Sequence, residues 1–473
     1  MRIPPGADHS ESDIFQTDTI VAISTPPGRG GIGIVRLSGT DAAAIASGVL
    51  RLSAALDHGV ARLADVLDIE PQAGRQRRLD EAVATYFQAP RSYTREDVVE
   101  IAAHGSPVVL DAIVRACLAR GARLARPGEF TERAFLSGRI DLMQAEAVRD
   151  LIDAQTVYQA RIASEQMEGS LSRTIQPTKQ ALIHLIAELE AGIDFAEDDI
   201  SVMPSAAIAA QIAGICQPLQ KLAAGFAYGR LLRDGFTMAI VGRPNTGKSS
   251  LFNRLIERDR AIVTDTPGTT RDTISERVSL AGIPLELIDT AGLRDAPEMA
   301  ERLGIERSRA ALADADIVLV VLEAGSPALT AEERKLLEQT TGRPMLAVLN
   351  KCDLGTNHIA EELQSAYPAL RILLVSALTG EGVAPLRAAI LNHMQKPGTE
   401  AGGALMTNLR QQTAVQDAMT ALHAAQQAVD DGVPHEMLLL DLYGALRHLD
   451  ALTGETRTDD ILNVIFSSFC IGK

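Results

Sequence analysis

The stretch Gly242-Arg243-Pro244-Asn245-Thr246-Gly247-Lys248-Ser249-Ser250 contains G-x-x-x-x-G-K-[ST], a pattern whose chemistry is phosphate binding. Glycines let backbone N–H groups curl around phosphate oxygens, Lys248 brings a cation to the β and γ phosphates, and Ser249 offers a hydroxyl to Mg²⁺. Three further stretches follow in the order such a site needs. Asp289-Thr290-Ala291-Gly292 sets a carboxylate at a strand end, where it can hold Mg²⁺ through water, and a glycine N–H that can sense the γ phosphate. In Asn350-Lys351-Cys352-Asp353 the carboxylate can accept N1–H and the exocyclic amine of guanine, a donor pair adenine lacks, while the Lys351 stem covers the base. Ser376-Ala377-Leu378 finishes the base pocket through a backbone N–H. The expected nucleotide is therefore GTP.

Activation of water is less conventional. A glutamine just after D-x-x-G orients the attacking water in Ras-like enzymes, and here that position is Leu293. Either hydrolysis is slow or a polar group arrives from elsewhere; Asp295, Glu298, Glu301 and Glu306 lie in the segment that follows. The run Thr264-Asp265-Thr266-Pro267-Gly268-Thr269-Thr270-Arg271-Asp272 stands where a first switch belongs. Thr270 can offer a hydroxyl and a carbonyl to Mg²⁺. Loop carbonyls beside Asn245 could hold a monovalent cation between phosphates, replacing an arginine finger electrostatically.

The elements that must position these groups follow from hydrophobic patterning. Short apolar strands at Met238 to Val241, Leu285 to Ile288, Ile317 to Leu322, Met345 to Leu349 and Ile372 to Val375 alternate with helical stretches, which predicts a mostly parallel sheet wrapped by helices. Upstream, Thr19 to Ser24, Ile32 to Ser38, Ala82 to Phe87 and Val98 to Ala102 read as strands of a small α+β domain. From Asp141 to about Ala191 one long alanine-rich helical segment is expected, and helical periodicity resumes from Leu405 to Cys470, with breaks at Gly432-Val433-Pro434 and Gly454. The expected fold class is α+β multidomain, with a helical domain interrupted by an inserted α/β P-loop domain. Gly28-Arg29-Gly30-Gly31-Ile32-Gly33 fits the dinucleotide pattern G-x-G-x-x-G, but a strand rather than a helix follows; we expect a tight glycine turn between strands.

Composition narrows the field. The chain has 473 residues, 46% apolar and 22% charged, enough for several globular cores and unlike a disordered polymer. Its net charge of −16 does not attract a phosphate backbone unaided, so a nucleic-acid substrate requires a local basic face or a basic partner. Cys117, Cys216, Cys352 and Cys470 show no zinc or C-x-x-C spacing, which suits a reduced cytoplasmic setting. No apolar run is long enough for a membrane span, and Met1 to Asp18 carries Asp8, Glu11 and Asp13 where a targeting peptide would be basic.

At these residues the sequence closely resembles the MnmE (TrmE) tRNA-modification GTPases, from about Asp18 to Lys473. The marks are Thr19-Ile-Val-Ala, Pro26-Pro-Gly-Arg-Gly-Gly-Ile-Gly33, Arg126-Pro-Gly-Glu-Phe-Thr-Glu-Arg-Ala-Phe135, Gly268-Thr-Thr-Arg-Asp272, Glu301-Arg-Leu-Gly304 and the terminal Phe469-Cys-Ile-Gly-Lys473. The resemblance implies four stretches: a folate-binding and dimerisation domain at 1–137, helical parts at 138–234 and 396–473, and an inserted G domain at 235–395. It implies a homodimer whose G domains meet when GTP and potassium bind. Asn245 resembles the potassium-coordinating side chain, with Thr264, Thr266 and Thr269 supplying loop oxygens, while Ser249 and Thr270 resemble the Mg²⁺ ligands. Glu301 matches the family's catalytic acid and Arg271 its switch arginine. Arg36, Glu100, Arg139 and Lys473 resemble residues contacting 5-formyl- or methylene-tetrahydrofolate, and Cys470 one important for modification. The implied reaction adds an aminomethyl or carboxymethylaminomethyl group at C5 of the tRNA wobble uridine, with an MnmG (GidA)-type flavoprotein as partner in a heterotetramer or larger complex. A GTP-controlled ribosome-assembly or RNA-binding switch is the rival reading; it calls for an appended basic RNA-binding domain, and the sequence shows none.

Overall fold

The computed structural model describes residues 18–68, 77–194, 203–256, 275–280, 282–289, 315–340, 342–355, 358–394 and 404–454. The chain divides into two compact units, residues 1–149 with 453–473, and residues 150–452.

The first unit is built on a seven-stranded sheet. Its strands are β1 (Ile20–Ile23), β2 (Gly30–Ser38), β3 (Leu50–Leu52), β4 (Ala61–Leu67), β5 (Arg78–Phe87), β6 (Val98–Gly105) and β7 (Arg123–Leu124), in the order β3-β4-β5-β6-β2-β1-β7. All neighbours are antiparallel except β1 and β7. Buried Ala82 and Ala84 alternate with exposed Glu81 and Val83 on β5, the mark of a sheet packed on one face. Helices α1 (Ala42–Val49) and α2 (Pro107–Leu118) cover that face, with Ile45, Ile113 and Val114 set against Val35, Leu37, Val99 and Ile101.

The glycine run departs from expectation. Gly30 to Gly33 lie inside β2, and the bend falls before them, around Thr25 to Arg29. The reason is packing: a Cβ at Gly33 would sit 2.4 Å from Cδ1 of Leu110 on α2. A bare backbone there lets the helix lie on the sheet.

Below this sheet, α3 (Glu129–Leu136) carries the distinctive Arg126-to-Phe135 stretch into a buried charge network. Arg123 donates to both Glu129 oxygens at 2.8 and 2.5 Å, the Arg126 N–H donates at 2.8 Å, and Arg133 Nη2 at 3.2 Å. Arg133 also reaches Asp18 at 2.6 Å and Glu96 at 3.0 Å. Glu129 is 1% exposed. Burial pushes its carboxyl up, but the Arg123 hydrogen bonds, the Arg126 N–H and the two guanidinium charges outweigh that and hold it below its ordinary value.

In the second unit a six-stranded sheet runs β13-β12-β11-β8-β10-β9, from β8 (Phe236–Val241), β9 (Ser275–Leu280), β10 (Ile283–Asp289), β11 (Ile317–Glu323), β12 (Met345–Asn350) and β13 (Arg371–Val375). Only the β9–β10 pair is antiparallel. Ile317 to Leu322 are all buried, because helices cover both faces. On one face lie α8 (Lys248–Ile256) and α11 (Val383–Met394), through Leu251, Leu255, Leu386 and Ile390. On the other lie α9 (Ala331–Thr340) and α10 (Ile359–Ala366), through Leu337, Ile359 and Leu363.

Helices precede and follow this α/β domain. The single helical segment expected from Asp141 to Ala191 is three helices, α4 (Leu142–Asp153), α5 (Val157–Met167) and α6 (Ser170–Asp194). Thr156 starts α5 with a reciprocal capping box with Gln159, and Gly169 at φ 82° separates α5 from α6. After α7 (Ser205–Asp234) and the α/β domain come α12 (Leu409–Asp430) and α13 (His435–Thr453). Helix α12 packs along α7, and α13 is tied to α6 by Lys179–Asp450 at 2.7 Å and Tyr443 Oη–Glu190 at 2.6 Å. Segments on either side of the P-loop domain thus form one helical domain, with the P-loop domain inserted between them.

Replacing Glu129 by Gln should destabilise the first unit by about 3 kcal/mol at neutral pH, because two guanidinium groups lose their buried counter-charge. A carboxyl held below its ordinary value stabilises fully above the unfolded value, about 4.3, and loses that contribution as pH falls through the lower folded value. Urea denaturation should therefore show wild type and variant converging below about pH 4.3.

Candidate nucleotide site and N-terminal pocket

The parallel strands all end on one edge, and that edge carries the nucleotide motifs. Strand β8 runs into the P-loop, and β10 ends at Asp289, in register with Ile240 two residues before Gly242. Strand β12 ends at Asn350, in register with Val375 at the end of β13. Four strand ends therefore bring four sequence motifs to one edge.

The loops at that edge are braced to one another. Asn350, 1% exposed, donates from Nδ2 to the Thr246 carbonyl at 2.8 Å and accepts the Ala377 N–H on Oδ1 at 3.0 Å. One carboxamide thus links the phosphate loop to the base loop. Within the P-loop, Thr246 Oγ1 and Lys248 Nζ both donate to the Arg243 carbonyl, at 2.9 and 2.7 Å, so Lys248 lies folded along the loop. Asn245 is exposed with φ 64°, a left-handed conformation that asparagine tolerates. Ser249 and Ser250 are exposed in the first turn of α8, whose N-terminal N–H groups and dipole favour phosphate. A Cβ on Gly242 would sit 2.2 Å from the Val321 carbonyl oxygen, and one on Gly247 2.3 Å from Asn350 Nδ2.

On the base side, Lys351 takes φ 63° and its Nζ pairs with Glu323 at 3.1 Å, which lays the stem across the loop. Asp353 is exposed. The Cys352 thiol is pushed up from its ordinary value by burial and by the charges of Glu381 and Asp353, so it stands there neutral. In the tripeptide, the Ser376 N–H donates to the Glu381 carbonyl and the Ala377 N–H to Asn350. Among the described residues the Leu378 N–H has no acceptor.

The first unit holds a separate pocket of about 550 Å³, lined by Phe87, Arg91, Ser92, Tyr93, Arg95, Glu100 and Arg139 among others. Arg36 faces Glu100 across the β2–β6 pair and binds it at 2.7 Å. The Arg36 guanidinium lies 5.8 Å from the Tyr93 ring centre and 5.6 Å from that of Phe130, and the Arg139 guanidinium 5.1 Å from Tyr93. Arg139 also donates to the Ser92 carbonyl at 3.0 Å. Three of the four residues expected to contact folate are thus brought together.

The chain matches the family model described as the MnmE helical domain over residues 142–470, and the one described as GTP-binding protein TrmE N-terminus over residues 19–139. It belongs to the MnmE (TrmE) family. Among its relatives, the tRNA modification GTPase MnmE of Koribacter versatilis is 55% identical over 460 residues, covering 96% of this chain and 99% of the relative. The protein of that name from Enterococcus faecalis is 41% identical, covering 98% and 100%. Solved structures similar to part of this chain include Aquifex aeolicus Era bound to GDP.AlF4- (24% identity, 39% of this chain and 66% of that chain, TM-score 0.28). The G domain of the T. maritima FeoB iron transporter is another (27%, 34% and 99%, TM-score 0.26).

Several residues singled out by the MnmE resemblance or by the motifs lie outside the described residues: Thr264, Asp265, Thr266, Pro267, Gly268, Thr269, Thr270, Arg271, Thr290, Ala291, Gly292, Glu301, Cys470 and Lys473. Others entered the sites unannounced. Tyr93, Arg91 and Arg95 could have been found in the basic and aromatic interleaving of Arg91-Ser92-Tyr93-Thr94-Arg95. Arg254 and Glu323 carry no sequence signal, since they act from a helix and a strand end that any P-loop domain possesses.

Gly247→Ala should lower GDP affinity at least tenfold. Its Cβ displaces Asn350 from Thr246 and its backbone, at φ +85°, resists a side chain. Titration with a fluorescent GDP analogue reads this directly.

Proposed function

We propose that this protein is a tRNA-modification GTPase that hydrolyses GTP to GDP and phosphate in the service of wobble-uridine modification. The carrying observation is the Asn350 bridge. It joins a phosphate-cradling loop to a base loop beside Asp353, a carboxylate suited to guanine. The family and its curated relatives, named tRNA modification GTPases, support the same reading.

In this reading Ser249 and Thr270 hold Mg²⁺, and Asn245 holds potassium together with loop oxygens of Thr264, Thr266 and Thr269. The exposed, left-handed Asn245 leaves its carboxamide available to a cation beside the phosphates. Potassium held there would supply positive charge against the negative charge that develops on the phosphates. Leu293 cannot orient water, so Glu301 takes that task and Arg271 assists from the switch.

The pocket of the first unit takes the reduced folate. Glu100 can accept from the amine and ring N–H of a pterin, as Asp353 can from guanine, and Arg91, Arg95 and Arg139 suit the glutamate tail. Arg36 holds Glu100 from behind; in this reading Lys473 also contacts the folate and Cys470 serves the modification chemistry. The functional unit is a homodimer working with an MnmG-type flavoprotein, which supplies the basic face for tRNA that a chain of net charge −16 lacks. No helix among the described residues is long and apolar enough to cross a membrane.

Steady-state turnover tests the nucleotide half. The chain should hydrolyse GTP and not ATP, slow markedly when sodium replaces potassium, and lose about 10²-fold in kcat with little change in GTP affinity on Glu301→Ala. Equal rates in both salts remove the potassium assignment, and an unchanged variant removes that of Glu301. For the folate half, calorimetry is the suitable probe because the chain has no tryptophan. 5-Formyltetrahydrofolate should bind wild type and bind Arg139→Ala at least tenfold more weakly; no heat with wild type refutes the pocket's role.

A further inference from the structure

Helix α8 does more than follow the P-loop. Arg254, six residues beyond Lys248, donates from Nε to the Ala377 carbonyl at 3.1 Å and from Nη2 to the Leu378 carbonyl at 2.5 Å. Its own helix is fixed at that end, where Arg387 on α11 donates to the Leu255 carbonyl at 2.5 Å. The guanidinium therefore ties the helix that receives phosphate to the loop that receives the base.

The geometry of a peptide makes this tie directional. In a trans peptide the C=O and N–H point to opposite sides of the chain, and the Ala377–Leu378 bond is trans. Pinning the Ala377 oxygen against Arg254 turns the Leu378 N–H away from α8. The neighbouring groups are already committed: the Ala377 N–H to Asn350, and the Thr379 N–H to Ser376 Oγ at 3.1 Å. The Leu378 N–H is the donor left over.

We propose that Arg254 is a positioning residue for base recognition. It orients the Ala377–Leu378 peptide so that the Leu378 N–H donates to the C6 carbonyl oxygen of guanine. The proposal rests on the guanine-nucleotide reading and adds to it which donor reads the carbonyl and which side chain aims it. Asp353 reads the opposite edge of the base, the N1–H and exocyclic amine, so the two contacts are separable by ligand.

The test uses the full-length chain, with Arg254→Met, which keeps the apolar stem and removes the donors, and Arg254→Lys, which keeps one. Three nucleotides compete against a fluorescent GDP analogue. GDP carries both recognition edges, IDP lacks the exocyclic amine but keeps the carbonyl and N1–H, and 2-aminopurine riboside diphosphate keeps the amine but lacks the carbonyl and, with it, the N1–H, so its affinity is compared only between variants. Arg254→Met should weaken GDP and IDP each about tenfold, the loss expected from one misaligned hydrogen bond, and leave the 2-aminopurine nucleotide within about twofold. Arg254→Lys should fall between wild type and Arg254→Met, and it carries the test if the methionine variant does not fold. Two outcomes overturn the proposal: GDP affinity unchanged, or an equal loss for all three nucleotides, which would mean Arg254 merely packs the domain. Failure of wild type to bind GDP would instead overturn the nucleotide reading itself.

Discussion

A single buried carboxamide holds the nucleotide site together. Asn350 spends its N–H on the P-loop and its oxygen on the base loop, at a position with almost no solvent access. Buried polar groups are costly when unpaired, so each bond makes the other loop's position the cheaper one to keep. The dependence runs outward. Gly247 must be a glycine because Asn350 approaches within the space of a methyl group. Strand β12 must end level with β13 so that Ala377 falls within reach. The phosphate and base halves of the site are therefore set at a fixed separation before any nucleotide arrives, the preorganisation that recognition of a rigid base and a phosphate chain requires.

In the first unit the same economy of buried charge serves a different end. Glu129, Arg133, Arg123, Asp18 and Glu96 neutralise one another beneath the sheet, and the network joins residue 18 to residues 96, 123 and 133. These are structural charges, although their sequence stretch is among the most distinctive in the chain. The cations of the pocket behave otherwise: Arg91, Arg95 and Arg139 are exposed, and among the described residues Arg139 touches its surroundings through a carbonyl and an aromatic ring rather than a carboxylate. A cation without a neutralising carboxylate at short range keeps its field for a ligand.

Legibility followed the physics of each region. The strands of the parallel sheet were readable because burial on both faces forces uninterrupted apolar runs, as in Ile317 to Leu322. Strand β9, Ser-Glu-Arg-Val-Ser-Leu, lies at the sheet edge and has no such run, so pairing with β10 rather than its composition makes it a strand. In the first unit β4 buries Ala64 and Val66 while Arg62 and Asp65 stay partly accessible, a pattern too weak to read as alternation. The glycine run misled in detail, since tight packing against Leu110 leaves the same residue type as a turn would. The P-loop and guanine motifs were legible because local sequence alone sets their backbone. Arg254 was not, because its role depends on which loop the fold lays beside its helix, and that is tertiary information.

The inserted domain is attached to the helical domain by more than its two chain crossings. Thr156, at the cap of α5, donates to the Gly282 carbonyl at 2.6 Å, and Gly282 is the turn between β9 and β10. Tyr158 packs there so closely that a Cβ on Gly282 would lie 2.6 Å from its own Cβ. Gln159 of the same turn donates to the Leu232 and Arg233 carbonyls at the end of α7, just before β8. Strand β10 thus has one end at this junction and the other at Asp289, about 20 Å away for seven extended residues. A strand hydrogen-bonded on both sides is stiff along its length. Thr156, Tyr158 and Gln159 thus join the helices to the hairpin whose second strand runs on to Asp289.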